Sequence, residues 1–171
     1  MVKIAYFDAS VETPEEIILA AGMIPVRLFG NPTIGIDKAN EHVPPTHCVW
    51  ARNILEQAID GLDKDVKGVI ATHGCDCTNR EFDIWLECVD LKFLFFLNAP
   101  LKRDESALNF YIEDIKELIT QLEENFNVEI TKEKLGRVVR GAEKTEADFP
   151  VTRATPQAGL KGEKPLYTER E

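Results

Sequence analysis

Positive charge is in short supply in this sequence: twenty Lys and Arg stand against thirty Asp and Glu, for a formal net charge of −10 at pH 7. Nucleic-acid binding depends on clustered basic residues that neutralise phosphates, so no nucleic-acid partner is expected. A basic-then-apolar leader is missing as well, because Met1-Val2-Lys3 runs straight into a strand-like stretch, and no apolar run approaches the roughly 20 residues that span a bilayer. The expectation is a cytoplasmic protein with no membrane partner. Cysteine is sparse, with residues at 48, 75, 77 and 88, too few and too bunched for a secreted disulfide framework. In a reducing compartment such cysteines raise the question of metal binding or redox chemistry. Glycine-rich phosphate loops are absent too: no G-x-G-x-x-G follows the first predicted strand and no P-loop occurs, which argues against an intrinsic ATPase.

What is present is enough for one core. A chain of 171 residues, 44% hydrophobic, can bury one proper core but not two. Residues 2–7 read as a buried strand, followed by Thr13-Pro14-Glu15-Glu16, a capping box that opens a helix ended by Gly22. Residues 24–29 give a second strand. Residues 30–45 hold Gly, Asn and three prolines, a loop long enough to be functional or mobile. Val49, Ile54, Leu55, Ala58 and Ile59 then recur at helical spacing, with Thr46 as candidate N-cap, Cys48 in the first turn and Gly61 as the stop.

Residues 66–71 form an apolar strand that runs into Thr72-His73-Gly74-Cys75-Asp76-Cys77-Thr78, and Thr78 with Glu81 suggests a capping box for a helix through Val89. Residues 92–97 are a fourth strand, the most apolar one, as suits the inside of a parallel sheet. Leu108, Tyr111, Ile112, Ile115, Leu118, Ile119, Leu122 and Phe126 mark a long amphipathic helix, and Thr131 caps a shorter one reaching about Arg140. The alternation predicts an α/β fold, a Rossmann-like doubly wound parallel sheet of about four strands over residues 1–140, with its site at the carboxyl ends of strands. From 141 to 171 the pattern stops, and Leu160, Leu166 and Tyr167 are isolated, so this stretch is expected to be an extended or disordered tail.

The cysteines carry the chemistry. A thiolate is favoured by positive potential, which unpaired N–H groups supply at a helix N-terminus, and both Cys48 and Cys75 are predicted at such positions. Two helix ends converging on one site would suit an anionic cluster. Cys88, inside an apolar helical stretch with nothing liganding beside it, reads as a small hydrophobe. A zinc site drawing on His47, Cys48, His73, Cys75 and Cys77 is an alternative, although the adjacent His47-Cys48 and the single spacer in Cys75-x-Cys77 match no familiar zinc pattern. His73, Asp76 and Arg80 are most simply turn, capping or surface groups.

Several stretches, in order, resemble the N-terminal part of the 2-hydroxyacyl-CoA dehydratase and benzoyl-CoA reductase subunit family. They are Thr13-Pro14-Glu15-Glu16 with residues 20–27, Cys48-Val49-Trp50-Ala51-Arg52-Asn53-Ile54-Leu55-Glu56, Gly68-Val69-Ile70-Ala71-Thr72-His73-Gly74-Cys75-Asp76, Phe82-Asp83-Ile84-Trp85, Phe96-Leu97-Asn98-Ala99-Pro100 and the helix around 107–117. The resemblance covers roughly residues 1–140 and implies a Rossmann-like domain. It also implies that Cys48 and Cys75 ligate a four-iron four-sulfur cluster, fed with an electron by a separate ATP-dependent activator protein and passing it to a CoA thioester. In the family a third cluster cysteine and most of the CoA pocket come from a later domain. Cys77 matches no family ligand and stands as a further candidate.

The leading expectation is therefore an iron–sulfur component of an anaerobic dehydratase or reductase assembly, a subunit of a lyase or reductase rather than an enzyme active alone. Its partners would be a second subunit or C-terminal half, and the activator. The alternatives are a noncatalytic interaction module that keeps the fold, and a small zinc protein.

Overall fold

The structure, a computed structural model, describes residues 1–7, 13–100, 102 and 104–148, and for 142–148 the backbone alone. Strand β1 (Lys3–Phe7) shows why the sheet is covered on both sides. Successive side chains of a strand point to opposite faces. Ile4 and Tyr6 join one buried cluster while Ala5 and Phe7 join another. Neither face can meet water, so helices must pack on both. Helix α1 (Glu15–Ala20) lies on the Ile4 side and leads into β2 (Ile24–Arg27). Gly22 ends α1 at φ 75°, a left-handed conformation that glycine adopts without the Cβ clash other residues meet.

The loop from 30 to 45 is neither featureless nor loose. It holds a short helix, α2 (Ala39–His42), and is tied to α3 (Val49–Gly61) by buried polar side chains. Glu56 accepts from the Ala39 N–H at 2.7 Å, Arg52 donates to Asn40 Oδ1 at 2.7 Å, and Asn53 donates to the Asn31 carbonyl at 3.0 Å. Three polar contacts from two adjacent turns of one helix explain why polar and charged residues sit at 5–8% exposure inside an otherwise apolar helix.

Strand β3 (Val66–Thr72) then pairs with β1, and after α4 (Asp76–Cys88) the strand β4 (Phe93–Leu97) pairs with β3. The four strands are all parallel in the order β2-β1-β3-β4. This is the doubly wound α/β sheet expected from the sequence. Helices α3 and α4 cover the face with Ala5, Phe7 and Val69, where Trp85 is fully buried against Phe7, ring centroids 5.2 Å apart. On the other face Leu118 and Leu122 of α5 (Glu105–Phe126) pack on Ile4, Ile70 and Leu97. Asp104 caps α5 by accepting from the Ala107 N–H at 2.8 Å.

Helix α6 (Lys132–Asp148) starts as expected, with Thr131 Oγ1 accepting from the Lys134 N–H at 3.2 Å, and packs against α1. It does not stop near Arg140. It continues through 141–148, residues the sequence reading assigns to the tail. Ala142, Glu143, Lys144, Glu146 and Ala147 are helix formers with no proline among them, so the backbone propagates the helix although no apolar stripe announces it. The remainder of the expected tail, 149–171, lies outside the described residues. No helix among the described residues is long and apolar enough to cross a membrane.

Candidate functional site

In an open parallel sheet, ligands bind beyond the carboxyl ends of the strands where the order reverses. Here the first strand has its two sequence successors on opposite sides, so the reversal falls at β1, and β3 delivers Thr72-His73-Gly74-Cys75 to that edge. Thr72, fully buried, shares a 2.7 Å hydrogen bond between hydroxyls with Thr13 at the start of α1. Thr13 therefore faces β3. The capping box expected at Thr13-Pro14-Glu15-Glu16 does not form: Pro14 occupies the cap position with no side-chain cap.

Both candidate ligands cap helices. Cys48 is the N-cap of α3, its carbonyl accepting from the Arg52 N–H at 3.0 Å, and its side chain is exposed. The expectation of Thr46 as cap is shifted by two residues, because the Pro44-Pro45 turn closes through the His47 N–H onto the Pro44 carbonyl and delays the helix. Cys75 is the N-cap of α4, exposed, with the Asn79 N–H reaching its carbonyl at 3.1 Å and Asn79 Oδ1 accepting from the Gly74 N–H. Helix α4 thus begins before the predicted Thr78–Glu81 box. Thr78 instead turns back, its hydroxyl donating to the Cys75 carbonyl at 2.9 Å and lying 3.6 Å from the Cys75 sulfur.

These contacts tune Cys75. Partial burial pushes its thiol up, but the backbone and hydroxyl of Thr78, with the backbone of Cys77 and of Cys75 itself, outweigh that and hold it below the ordinary thiol value. Cys77 lies in the first turn of α4 and is half-buried.

Sequence reasoning missed the pair that joins the two helix ends. His47, next to Cys48, has its Nε2 3.7 Å from Glu81 Oε2 of α4. Both atoms are buried, and neither has a hydrogen-bond partner among the described residues. Burial, and after it the nearby Arg52, hold His47 below its usual range. Glu81 is fully buried and accepts from Trp85 Nε1 at 3.0 Å. Burial pushes its carboxyl up to about 8, with the negative charge on Cys75 adding to the rise. The only sequence signal was a charged residue on the apolar side of α4, one turn before Trp85, which the capping reading absorbed.

Cys88 also departs from expectation. It is half-buried, but His42 Nδ1 of α2 lies 3.3 Å from its sulfur, so a potential ligand does stand beside it. His73 stacks edge-on to Phe96, centroids 6.3 Å apart, and has a buried, unpartnered Nδ1. It opens onto a cavity of about 570 Å³ along the β3–β4 edge, lined also by Asn98, Pro100, Lys102, Ser106 and Phe110. Asp76 and Arg80 are exposed on α4.

Residues 10–149 match the family model described as 2-hydroxyglutaryl-CoA dehydratase, D-component. The chain belongs to that family. It is 31% identical over 130 residues to the (R)-phenyllactyl-CoA dehydratase beta subunit of Clostridium sporogenes, covering 74% of this chain and 34% of the relative. It is 25% identical over 156 residues to the lactoyl-CoA dehydratase subunit beta of Anaerotignum propionicum, 82% of this chain and 40% of that protein. To the (R)-2-hydroxyglutaryl-CoA dehydratase subunit beta of Acidaminococcus fermentans it is 23% identical over 137 residues, 78% and 36% of the two chains. The matched region is thus about a third to two fifths of the relatives' length.

As a member of the D-component family the chain can be tested for its fit to an iron–sulfur cluster. In kind the donors fit, being two exposed thiols at helix N-termini, one of them held toward the thiolate. In number they fall short, because among the described residues no group of three or more His, Cys, Asp or Glu side chains is assembled to hold a metal. The same count applies to the zinc alternative, which needs four ligands when closed.

Proposed function

We propose that this chain is the cluster-binding N-terminal portion of a 2-hydroxyacyl-CoA dehydratase or related reductase component, with Cys48 and Cys75 supplying two thiolates to a four-iron four-sulfur cluster. The observation that carries the reading is the paired placement of Cys48 and Cys75 as N-caps of adjacent helices, within a chain whose relatives are dehydratase beta subunits. Bound there, a cluster would supply low-potential one-electron chemistry toward a CoA thioester. The residues themselves have simpler tasks. The N-terminal turns of α3 and α4 provide positive potential for an anionic cluster, Thr78 directs its hydroxyl at the Cys75 sulfur, and Thr13 with Thr72 fixes the floor beside it. The remaining ligand, most of the CoA pocket and the electron come from outside this segment: a second subunit or C-terminal half, and an ATP-dependent activator.

Anaerobic co-expression with its genomic neighbours, followed by iron and sulfide analysis and electron paramagnetic resonance, tests the reading. A reducible cluster signal is expected, and protein without iron under those conditions sinks it.

A second reading has its own support. Phe110, exposed near the start of α5, lines the His73 cavity, and Leu108 and Ile112 are exposed on another side of the same helix, apolar surface of the kind a second chain covers. A purely interaction role predicts that Cys48→Ser and Cys75→Ser leave complex formation intact and that no iron is found.

A further inference from the structure

An open sheet leaves a row of unpaired backbone groups along each outer strand, and such a row is a template for another strand. The order β2-β1-β3-β4 makes β2 and β4 the two edges, and their chemistry is opposite. On β2 the Ile24 and Leu28 N–H groups donate inward to the Val2 and Tyr6 carbonyls, so the backbone of Pro25 and Arg27 faces out. Pro25 has no N–H to offer and Arg27 brings a charge, two features that discourage strand pairing. On β4 the Leu97 carbonyl accepts from the His73 N–H at 2.8 Å. That bond turns the odd-numbered residues of β4 toward β3 and the N–H and C=O groups of Leu94 and Phe96 outward. None of these four groups has a hydrogen-bond partner among the described residues. Past Phe96 the row is closed, because the Asn98 N–H donates to Asp114 of α5 at 2.6 Å. The open stretch is short, uncharged and free of proline.

The flanking helices lean inward from this edge. Leu118 and Leu122 of α5 share a cluster with Ile4 of β1 and Ile70 of β3, and Trp85 of α4 lies against Phe7 of β1. Leu94, Phe95 and Phe96 are accordingly only half-buried, whereas residues 4–7 of the central strand β1 are all buried. Leu86, one turn beyond Phe82 on the side of α4 that packs on Phe96, is 55% exposed.

We propose that β4 pairs with β4 of a second copy of this chain, antiparallel about a two-fold axis at Phe95, joining two four-stranded sheets into one of eight strands. The register follows from the outward residues. Leu94 stands opposite Phe96 of the second copy and Phe96 opposite its Leu94, and each pair exchanges both bonds, so every open group on the two strands is satisfied. Phe95 faces its own equivalent across the axis, in the non-hydrogen-bonded position where side chains stand closest. This self-complementarity is what favours a second copy over an unrelated strand: the open row matches itself bond for bond, and every cross-strand neighbour is apolar. The inference stands apart from the cluster reading, which it neither needs nor affects.

Sedimentation of the purified full chain across a concentration series should show a dimer that dissociates on dilution. Hydrogen exchange at single-residue resolution should find the Leu94 and Phe96 amides protected in the dimer and unprotected in the monomer, while the Phe95 amide, turned toward β3, stays protected in both. Leu94→Pro gives β4 the residue that β2 carries at Pro25, removing an outward donor and leaving the ladder to β3 intact. Symmetry makes that loss occur twice per dimer, so the dissociation constant should rise about tenfold or more. Leu94→Lys should weaken the dimer as well and takes the place of the proline variant if that does not fold. Leu108→Lys, the same charge on exposed apolar surface of α5, should leave the dimer unchanged. A monomer at all concentrations overturns the proposal, including one whose edge pairs only with a different subunit. So does a dimer whose Leu94 and Phe96 amides exchange freely, or one that Leu94→Lys and Leu108→Lys weaken equally.

Discussion

At Cys75 two opposing effects meet, and hydrogen bonding wins over burial. Thr78 supplies both a backbone and a hydroxyl contribution, so Thr78→Val, nearly equal in volume, should raise the Cys75 thiol. The expected outcome is that the pH midpoint for alkylation of Cys75 lies below that of an ordinary thiol in the native sequence and moves upward in the variant, measured by mass spectrometry of the modified peptide. No change would mean that the hydroxyl 3.6 Å away contributes nothing. The position of Cys75 at a strand-to-helix turn was legible in the sequence because Gly74 and Asp76 make a polar turn after an apolar strand. The role of Thr78 was half legible: its hydroxyl does serve the helix start, but by bonding backwards to Cys75.

Glu81 was not legible at all, since three-residue spacing from Thr78 mimics a capping box and nothing in a linear pattern reveals that a carboxyl is buried. Its consequence for stability has a definite sign. The folded carboxyl titrates near 8 against an ordinary 4.5, so the folded chain binds more protons than the unfolded chain in between. Stability is therefore greatest below about 4.5 with respect to this group and falls as pH rises through 8, by at most about 1.4 kcal/mol per pH unit. Glu81→Gln should flatten that slope. Urea midpoints between pH 5 and 9 check it, and an unchanged slope in the variant would assign the loss to other groups.

Among the elements, α3 does more than cover the sheet. Arg52, Asn53 and Glu56 pull the segment from Asn31 to Asn40 onto its surface, converting an expected loop into ordered structure with its own helix. Glu56→Ala leaves the Ala39 N–H buried without an acceptor and should cost about 1–3 kcal/mol. Native-state hydrogen exchange should show the protection of Ala39 lost before that of β3. These residues lie within the stretch that resembles the family, but helical periodicity marks them as breaks in an apolar face and gives no hint of what they hold.

A Cβ on Gly68 would stand 2.9 Å from the Phe93 carbonyl oxygen and 2.8 Å from its Cβ, and a backbone atom of a paired strand cannot yield. Gly68→Ala should therefore cost about 1–3 kcal/mol by forcing β3 from β4, read as a lower denaturation midpoint. The strands themselves were readable to within two residues, since apolar runs of this length have no other plausible use. Helix starts were less readable, because prolines and buried hydroxyls at Thr13 and Pro44-Pro45 moved the caps. The end of α6 was missed because its last turns carry helix formers without an apolar stripe.

For the whole molecule, the order β2-β1-β3-β4 brings to one edge the parts that the sequence scatters over thirty residues: Cys48 ahead of α3, and His73, Cys75 and Cys77 after β3. The family and the sheet were legible because ordered motifs and strand–helix alternation carry both. The contact of His47 with α4 was not, since it depends on how two helices dock across a face. The matched segment covers about a third to two fifths of its dehydratase relatives, and Leu108, Phe110 and Ile112 of α5 are exposed, with Phe110 lining the His73 cavity.

The account centres on Cys48 and Cys75 as two halves of one ligand set. Its most direct test is iron and sulfide per chain in the anaerobically purified assembly, compared between the native sequence, Cys48→Ser, Cys75→Ser and Cys88→Ser. The account predicts cluster iron in the native and Cys88→Ser proteins and its loss in the other two, with the assembly intact. Equal iron in all four, or none in any, would contradict it.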